Sequence, residues 1–180
     1  MTSYPSSGVG GSVGITDPNT SAEDASRLYA KQTSGIVYVS TLVNIASFDA
    51  NGDDYFYHLR NESGAFFARV YAKDDGAGNL NFGIRENSTS GTVPQYVVGS
   101  YSYATTYLLV IKYDFAAGSA SLFVLDNAAA TEPGSADAVS NDGVDPSDLA
   151  QVGIRQGANT PETTLDGVHV ATDWAGIMGL

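Results

Sequence analysis

In the run TYLLVIKYDF, Leu109, Ile111, Tyr113 and Phe115 fall on one face of an extended chain, and Leu108, Val110, Lys112 and Asp114 on the other. A period of two, with one face apolar and the other turning polar only toward its end, fits a strand and no helix. Runs of the same kind recur along the chain with turn formers between them, and that rhythm limits the fold more than any other feature. Strands are expected at Gly11–Thr16, Ser26–Lys31, Ile36–Phe48, Tyr55–Asn61, Ala65–Asp74 and Leu80–Asn87. More are expected at Tyr96–Ser102, Thr106–Phe115, Ala120–Asp126, Ala150–Gln156 and Asp166–Trp174.

The separators DANGDD, DDGAGN, NSTSGT, AAGS, SNDGVDPSD and QGANTPET are built from residues that favour turns. DDGAGNL and FAAGSAS read as hairpin connections. One stretch, SAEDASRLYAKQ, opens like a helix with a Ser and early acids, yet it runs on as strand–turn–strand, and the strand reading is preferred. Eleven short strands in 180 residues with no crossover helices predict one all-β domain over residues 1–180, an antiparallel β-sandwich. Ala128–Asp148 is poor in large apolar residues and reads as a surface loop, either mobile or ordered by an ion.

Charge and composition narrow the function. Twenty acids face eight bases, a formal net charge of −12, which repels phosphates and argues against nucleic acid and anionic membranes as partners. The absence of cysteine excludes disulfides, thiolate catalysis and cysteine zinc sites. No apolar run reaches the roughly 18 residues of a membrane span. The start, MTSYPSSGVGGSVGIT, lacks the basic and apolar regions of a signal peptide, which leaves a cytoplasmic protein or the trimmed part of an exported one.

The pieces GIVYVSTLVNI, YFYHL, FFARVYAKDDGAGNLNFGI, YATTYLLVIKYDF, SASLFVLD, QVGIRQG and LDGVHVATDW, in that order, resemble a laminin-G-like (concanavalin A-like) jelly-roll module of exported bacterial proteins. The resemblance covers the chain from about residue 30 onward. It implies a concanavalin A-like jelly roll, an extracellular or cell-surface location, and a role in carbohydrate binding or adhesion; some members are catalytic. Modules of this type carry a strand ahead of the YPSSGVGGS region, so an N-terminal strand is expected to be missing here, leaving an edge for another chain to pair with.

Two clusters suggest catalysis at first sight. In TLDGVHVATDWAGI, alternation sends Asp166 and His169 to opposite faces and sets Asp173 roughly 13 Å along the strand from His169, too far for a dyad. Trp174 is expected on the Val170 face at the strand end. The Glu-x-Asp-x-x-Glu pattern of retaining glycosidases on this fold is absent, and Glu23, Glu62, Glu86, Glu132 and Glu162 stand isolated in or near loops. Lyase-like members of the fold use Arg, Gln, His and Tyr on one sheet; FGIREN and HLRNES hold an Arg each without the full set of motifs.

A structural calcium is the expected ion, with no cofactor required. Asp49, Asn51 and Asp53 alternate as in the first half of an EF-hand loop, without its later glycine and glutamate, and Asp142, Asp145 and Asp148 crowd a second loop. For a sugar, flat rings stack on the apolar ring faces while amides and guanidinium groups meet the hydroxyls. Tyr55, Tyr57, Tyr96, Tyr101 and Tyr103, with Arg60, Arg85 and Asn87, are the expected ligand-binding residues. The expected function is thus a non-catalytic, extracellular carbohydrate-binding or adhesion module whose partner is a glycan or cell-surface polysaccharide. The alternatives are a structural subunit joined to copies of itself through edge strands, and a polysaccharide hydrolase or lyase with an unrecognised site.

Overall fold

The structure is a computed structural model that describes residues 1, 4–5, 7–16, 24–47, 54–87, 92–141 and 143–180. Among them are twelve strands: β1 (Val13–Ile15), β2 (Ala25–Gln32), β3 (Ile36–Ser47), β4 (Asp54–Arg60), β5 (Phe66–Asp74) and β6 (Leu80–Arg85), then β7 (Gln95–Tyr96), β8 (Thr106–Asp114), β9 (Ser119–Leu125), β10 (Ala138–Ser140), β11 (Leu149–Ile154) and β12 (Glu162–Ala171). One short helix, α1 (Trp174–Met178), follows. The strands form two six-stranded antiparallel sheets, ordered β1-β12-β3-β8-β9-β10 and β2-β11-β4-β5-β6-β7. This is the β-sandwich expected from the period of the apolar runs, and SAEDASRLYAKQ contributes a strand, β2.

Both expected hairpins are present, joining β5 to β6 and β8 to β9. In the first, Asp75 accepts from the backbone N–H of Ala77 and Asn79, and Gly76 and Gly78 take the left-handed conformation that lets the chain reverse. In the second, Asp114 accepts from Ala116 and Ala117.

Val37, Val39, Val43 and Ile45 of β3 and Leu109, Ile111 and Tyr113 of β8 point between the sheets, against Phe56, Leu59, Val70, Phe82 and Ile84 of the second sheet. The intervening residues are buried too. Tyr38, Leu42, Leu108, Val110 and Phe123 form a second core on the outer face of the first sheet, covered by Tyr4, Trp174, Ile177 and Met178. That second core explains why the alternate face of TYLLVIKYDF turns polar only at its end: its first half lies under a cover.

Three expectations need correction. Trp174 is not on a strand. Gly167, with φ 61°, sits where the β12–β3 register shifts, so strict alternation fails there. The strand ends at Ala171, Asp173 caps α1 by accepting from the Gly176 N–H, and Trp174 turns onto Tyr38 and Phe123 while its indole N–H donates to the Ala129 carbonyl. Second, Tyr96–Ser102 is a strand only at its start; beyond β7 only Tyr101 bridges, to Leu80. Third, the described part of Ala128–Asp148 lies against the fold. Ala129 and Ala136 rest on the second core, Glu132 accepts from Tyr38 and Lys112, and Ala138–Ser140 adds the unexpected strand β10 to β9.

Trp174 is the keystone of that cover, 7% exposed and in edge contact with two rings. Trp174→Ala is expected to cost about 3 kcal/mol in urea unfolding with an unchanged slope, whereas Val98→Ser, at a fully exposed position, should stay within about 0.5 kcal/mol of wild type.

Candidate functional site

Among the described residues no helix or further strand covers the outer face of β2-β11-β4-β5-β6-β7. An antiparallel sheet with one wet face normally sets polar side chains there. Here the face gathers rings and cations. Two register shifts in β4, between Tyr55 and Tyr57 and between Tyr57 and Leu59, break its alternation. As a result Phe56, Tyr57 and Leu59 enter the inter-sheet core, while Tyr55, His58 and Arg60 stand on the outer face. Strand β5 has a matching irregularity at Ala68, whose φ is 45°, and then presents Arg69, Tyr71 and Lys73 outward.

The side chains interlock. The His58 ring lies 4.6 Å from Phe66 and 5.7 Å from Tyr55, centroid to centroid. It sits over Gly153, its cross-strand partner on β11, where any Cβ would collide with the imidazole. Arg155 and Arg69 stand 4.3 and 4.7 Å from the centre of the Tyr55 ring; Arg60 and Arg69 stand 4.9 and 5.3 Å from that of Phe66. Farther along, Lys73 Nζ is 3.6 Å from the centre of Tyr96, whose ring occupies the space over Gly83. Arg85 lies directly across from Arg69 in the β5–β6 pairing. Each contact of a cation with a ring face contributes about 0.5–2 kcal/mol.

Several of these groups have other partners: Arg85 Nε donates to the Thr92 hydroxyl. Arg155 pairs with Asp54 at 2.7 Å, and Arg60 Nε donates to the Gly64 carbonyl. Arg69 Nε and both ring nitrogens of His58 are buried with no hydrogen-bond partner among the described residues. Burial, reinforced by Arg60, Arg69 and Arg155, pushes the His58 pKa down from 6.5 to about 3, so the imidazole is neutral at physiological pH. Burial also raises the Tyr55 phenol above its ordinary value, against the pull of Arg155 and Arg69.

Of the expected ligand-binding residues, Tyr55, Arg60, Arg85 and Tyr96 meet on this face. Tyr57 does not: it is fully buried between the sheets. Asn87 is buried and donates to the Val144 carbonyl, holding a loop. Tyr101 packs on Phe82 and Tyr107, and Tyr103 donates to Asp74 at the sheet end; both belong to packing at the core's margin. His58, Phe66, Arg69, Tyr71, Lys73 and Arg155 are the face residues that sequence reasoning missed. Alternation within FFARVYAKD could have found Arg69, Tyr71 and Lys73, but nothing local brings Arg155 to Tyr55.

Asp49, Asn51, Asp53 and Asp142 lie outside the described residues. Asp145 accepts from the Tyr113 hydroxyl at 2.9 Å, beside Glu86, which in turn accepts from the Gly143 N–H. Burial first, and Asp145 second among the raising causes, lift the Glu86 carboxyl above its ordinary pKa, so Glu86 is not the isolated loop residue expected from the sequence. Asp148 accepts from the Glu62 N–H instead. Among the described residues no three carboxylates or imidazoles come together as a metal site.

No protein-family model matches the sequence, and no curated protein does. Solved structures do match in shape. A SAP-like pentraxin from Limulus polyphemus, a native heptamer, superposes with a TM-score of 0.60 at 10% identity over 89% of this chain and 76% of its own. A legume lectin-like domain from Entamoeba histolytica gives 0.52 at 12% identity, covering 93% and 87%. A sialidase gives 0.58 at 12% identity over 82% of this chain, which spans 14% of the sialidase. At such identities the likeness establishes the fold alone: a concanavalin A-like jelly roll, a class that holds both lectins and enzymes.

The low pKa of His58 has a signed consequence. Its folded-state value lies below 6.5, so its contribution to stability is complete above pH 6.5 and is lost as pH falls toward 3. The slope approaches about 1.4 kcal/mol per pH unit within that window. Urea unfolding of wild type and His58→Gln at pH 7 and pH 5 should show the wild type losing more stability than the variant; parallel losses would contradict this.

Proposed function

We propose that this chain is a non-catalytic carbohydrate-binding module acting outside the cell, with its glycan lying across the outer face of β11, β4, β5 and β6. One observation carries the reading: this sheet face holds five half-buried or buried rings, Tyr55, His58, Phe66, Tyr71 and Tyr96, and five of the chain's eight cations, Arg60, Arg69, Lys73, Arg85 and Arg155. Such a surface offers a ligand flat rings and hydrogen-bond donors together. The lectin-like description of the Entamoeba neighbour points the same way.

An enzyme reading has a specific observation behind it, an imidazole, a phenol and three guanidinium groups within one cluster. The chemistry disfavours it. A general base works best with a pKa near the working pH, and His58 at about 3 is a weak proton acceptor. Assembly through an edge strand is also weaker, because the long edge β2 carries Arg27 and Lys31, charges that discourage pairing.

The test is a glycan array probed with the purified chain, in calcium and again in EDTA, the second condition addressing the calcium expected from the acidic loops. Binding to at least one glycan is expected, and Tyr55→Ala, which removes the ring that Arg69 and Arg155 stand against, should weaken it at least about tenfold. No binding to any glycan, or equal binding by a folded Tyr55→Ala variant, would sink the proposal.

A further inference from the structure

We infer that the saccharide taken by this face is anionic, its carboxylate or sulfate oxygens meeting the free guanidinium edges of Arg60 and Arg69; the inference rests on the glycan-binding reading above. Three independent features lead there.

The first is the placement of charge. Acids outnumber bases twenty to eight in the chain. Among the described residues Arg60, Arg69 and Lys73 on this face have no ion pair with a carboxylate, as is true of Arg27 on the edge strand β2, while Lys31, Lys112 and Arg155 each have one. Arg69 also stands directly across the β5–β6 pair from Arg85, whose Nε donates to the Thr92 hydroxyl, so two like charges face each other there.

The second is what the rings leave available. Neutral sugars stack their C–H groups on open ring faces. Here Tyr55, Phe66 and Tyr96 each already carry a cation over the ring. A guanidinium stacked on a ring keeps its in-plane N–H groups free, and that fork matches two oxygens of a carboxylate or sulfate.

The third is the balance of donors and acceptors. A neutral saccharide's hydroxyls donate as well as accept, so a site for one needs acceptors. Arginine and lysine supply donors only. Asp54, beside the cluster, is already engaged by Arg155 and by the Tyr55 N–H, and Asp24 acts on Tyr55 and Arg155 through its charge. The unpartnered Arg69 Nε is a further donor without an acceptor.

The experiment is calorimetric titration of the full chain with an oligogalacturonate, its carboxyl-reduced neutral counterpart, a sulfated dextran, plain dextran and poly-glutamate. Binding of the oligogalacturonate or the sulfated dextran is expected at least about tenfold tighter than that of its uncharged counterpart, weakening as salt rises from about 50 to about 500 mM. The acidic arm that binds identifies carboxylate or sulfate as the recognised group. Arg69→Gln should lower that affinity at least about tenfold, whereas Arg27→Gln, which removes the same charge from the edge strand β2, should leave it unchanged. Equal affinity for charged and uncharged forms overturns the inference and leaves the glycan reading standing. No binding to any of the four saccharides overturns both. Poly-glutamate binding as tightly as the acidic saccharides overturns the saccharide assignment, and equal losses in the two variants reduce the effect to net charge.

Discussion

The unbroken pairing of β3 with β8, nine residues in register from Ile36↔Asp114 to Asn44↔Thr106, is the constraint on which the rest of the molecule depends. These two strands are apolar on both faces for most of their length, so both faces must be covered. One face meets the second sheet. The other is closed by Tyr4, by the described part of Ala128–Asp148 and by α1. The Tyr4 hydroxyl donates to the Gly167 carbonyl and lies 2.7 Å from Ser40 Oγ, which ties the N-terminal segment to both β12 and β3. The described covering elements are committed to the first sheet, the outer face of the second carries none of them, and the site follows from that asymmetry.

Within the second sheet, irregularity decides what the open face displays. A strictly alternating β4 would send Tyr55, Tyr57 and Leu59 to one side and Phe56, His58 and Arg60 to the other. The two register shifts instead bury Phe56, Tyr57 and Leu59 together and release Tyr55 to join His58 and Arg60. Tyr55 then stands between Arg155 of the β11 end and Arg69 of β5. Without the shifts, the ring that the two guanidinium groups share would lie in the core and the arginines would have nothing to stand on.

That is also where legibility in the sequence ends. Strand periodicity depends on nearest neighbours in the chain, and TYLLVIKYDF, FFARVYAKD and the Gly-containing hairpins state it openly. Bulges are set by pairing partners, which periodicity does not encode, so Tyr57 is misplaced by alternation and Trp174 is read as strand although Asp173 can cap a helix turn. The arginines of the site are visible individually, Arg60 and Arg85 among the expected ligands. Their convergence with Arg69 and Arg155 requires the β11-β4-β5-β6 order, and Arg155 lies 95 positions after Arg60 in the chain. Net charge has the same limit: a value of −12 describes the molecule's far field and says nothing of one face.

The two kinds of charge environment in this fold sharpen the contrast. Where the protein needs a cation for structure, it supplies the anion: Lys112 meets Glu132 beside Tyr38, and burial of both is offset by that contact and the phenol's hydrogen bond. Where it buries a carboxylate, as at Glu86, it surrounds the group with donors from Tyr113 and Gly143. On the open sheet face the rule lapses: His58 keeps both nitrogens unpaired and Arg69 its Nε. His58 and Arg69 hold three of the seven buried side-chain atoms without a partner among the described residues, and that concentration on the outer face of the second sheet is organised for something other than stability.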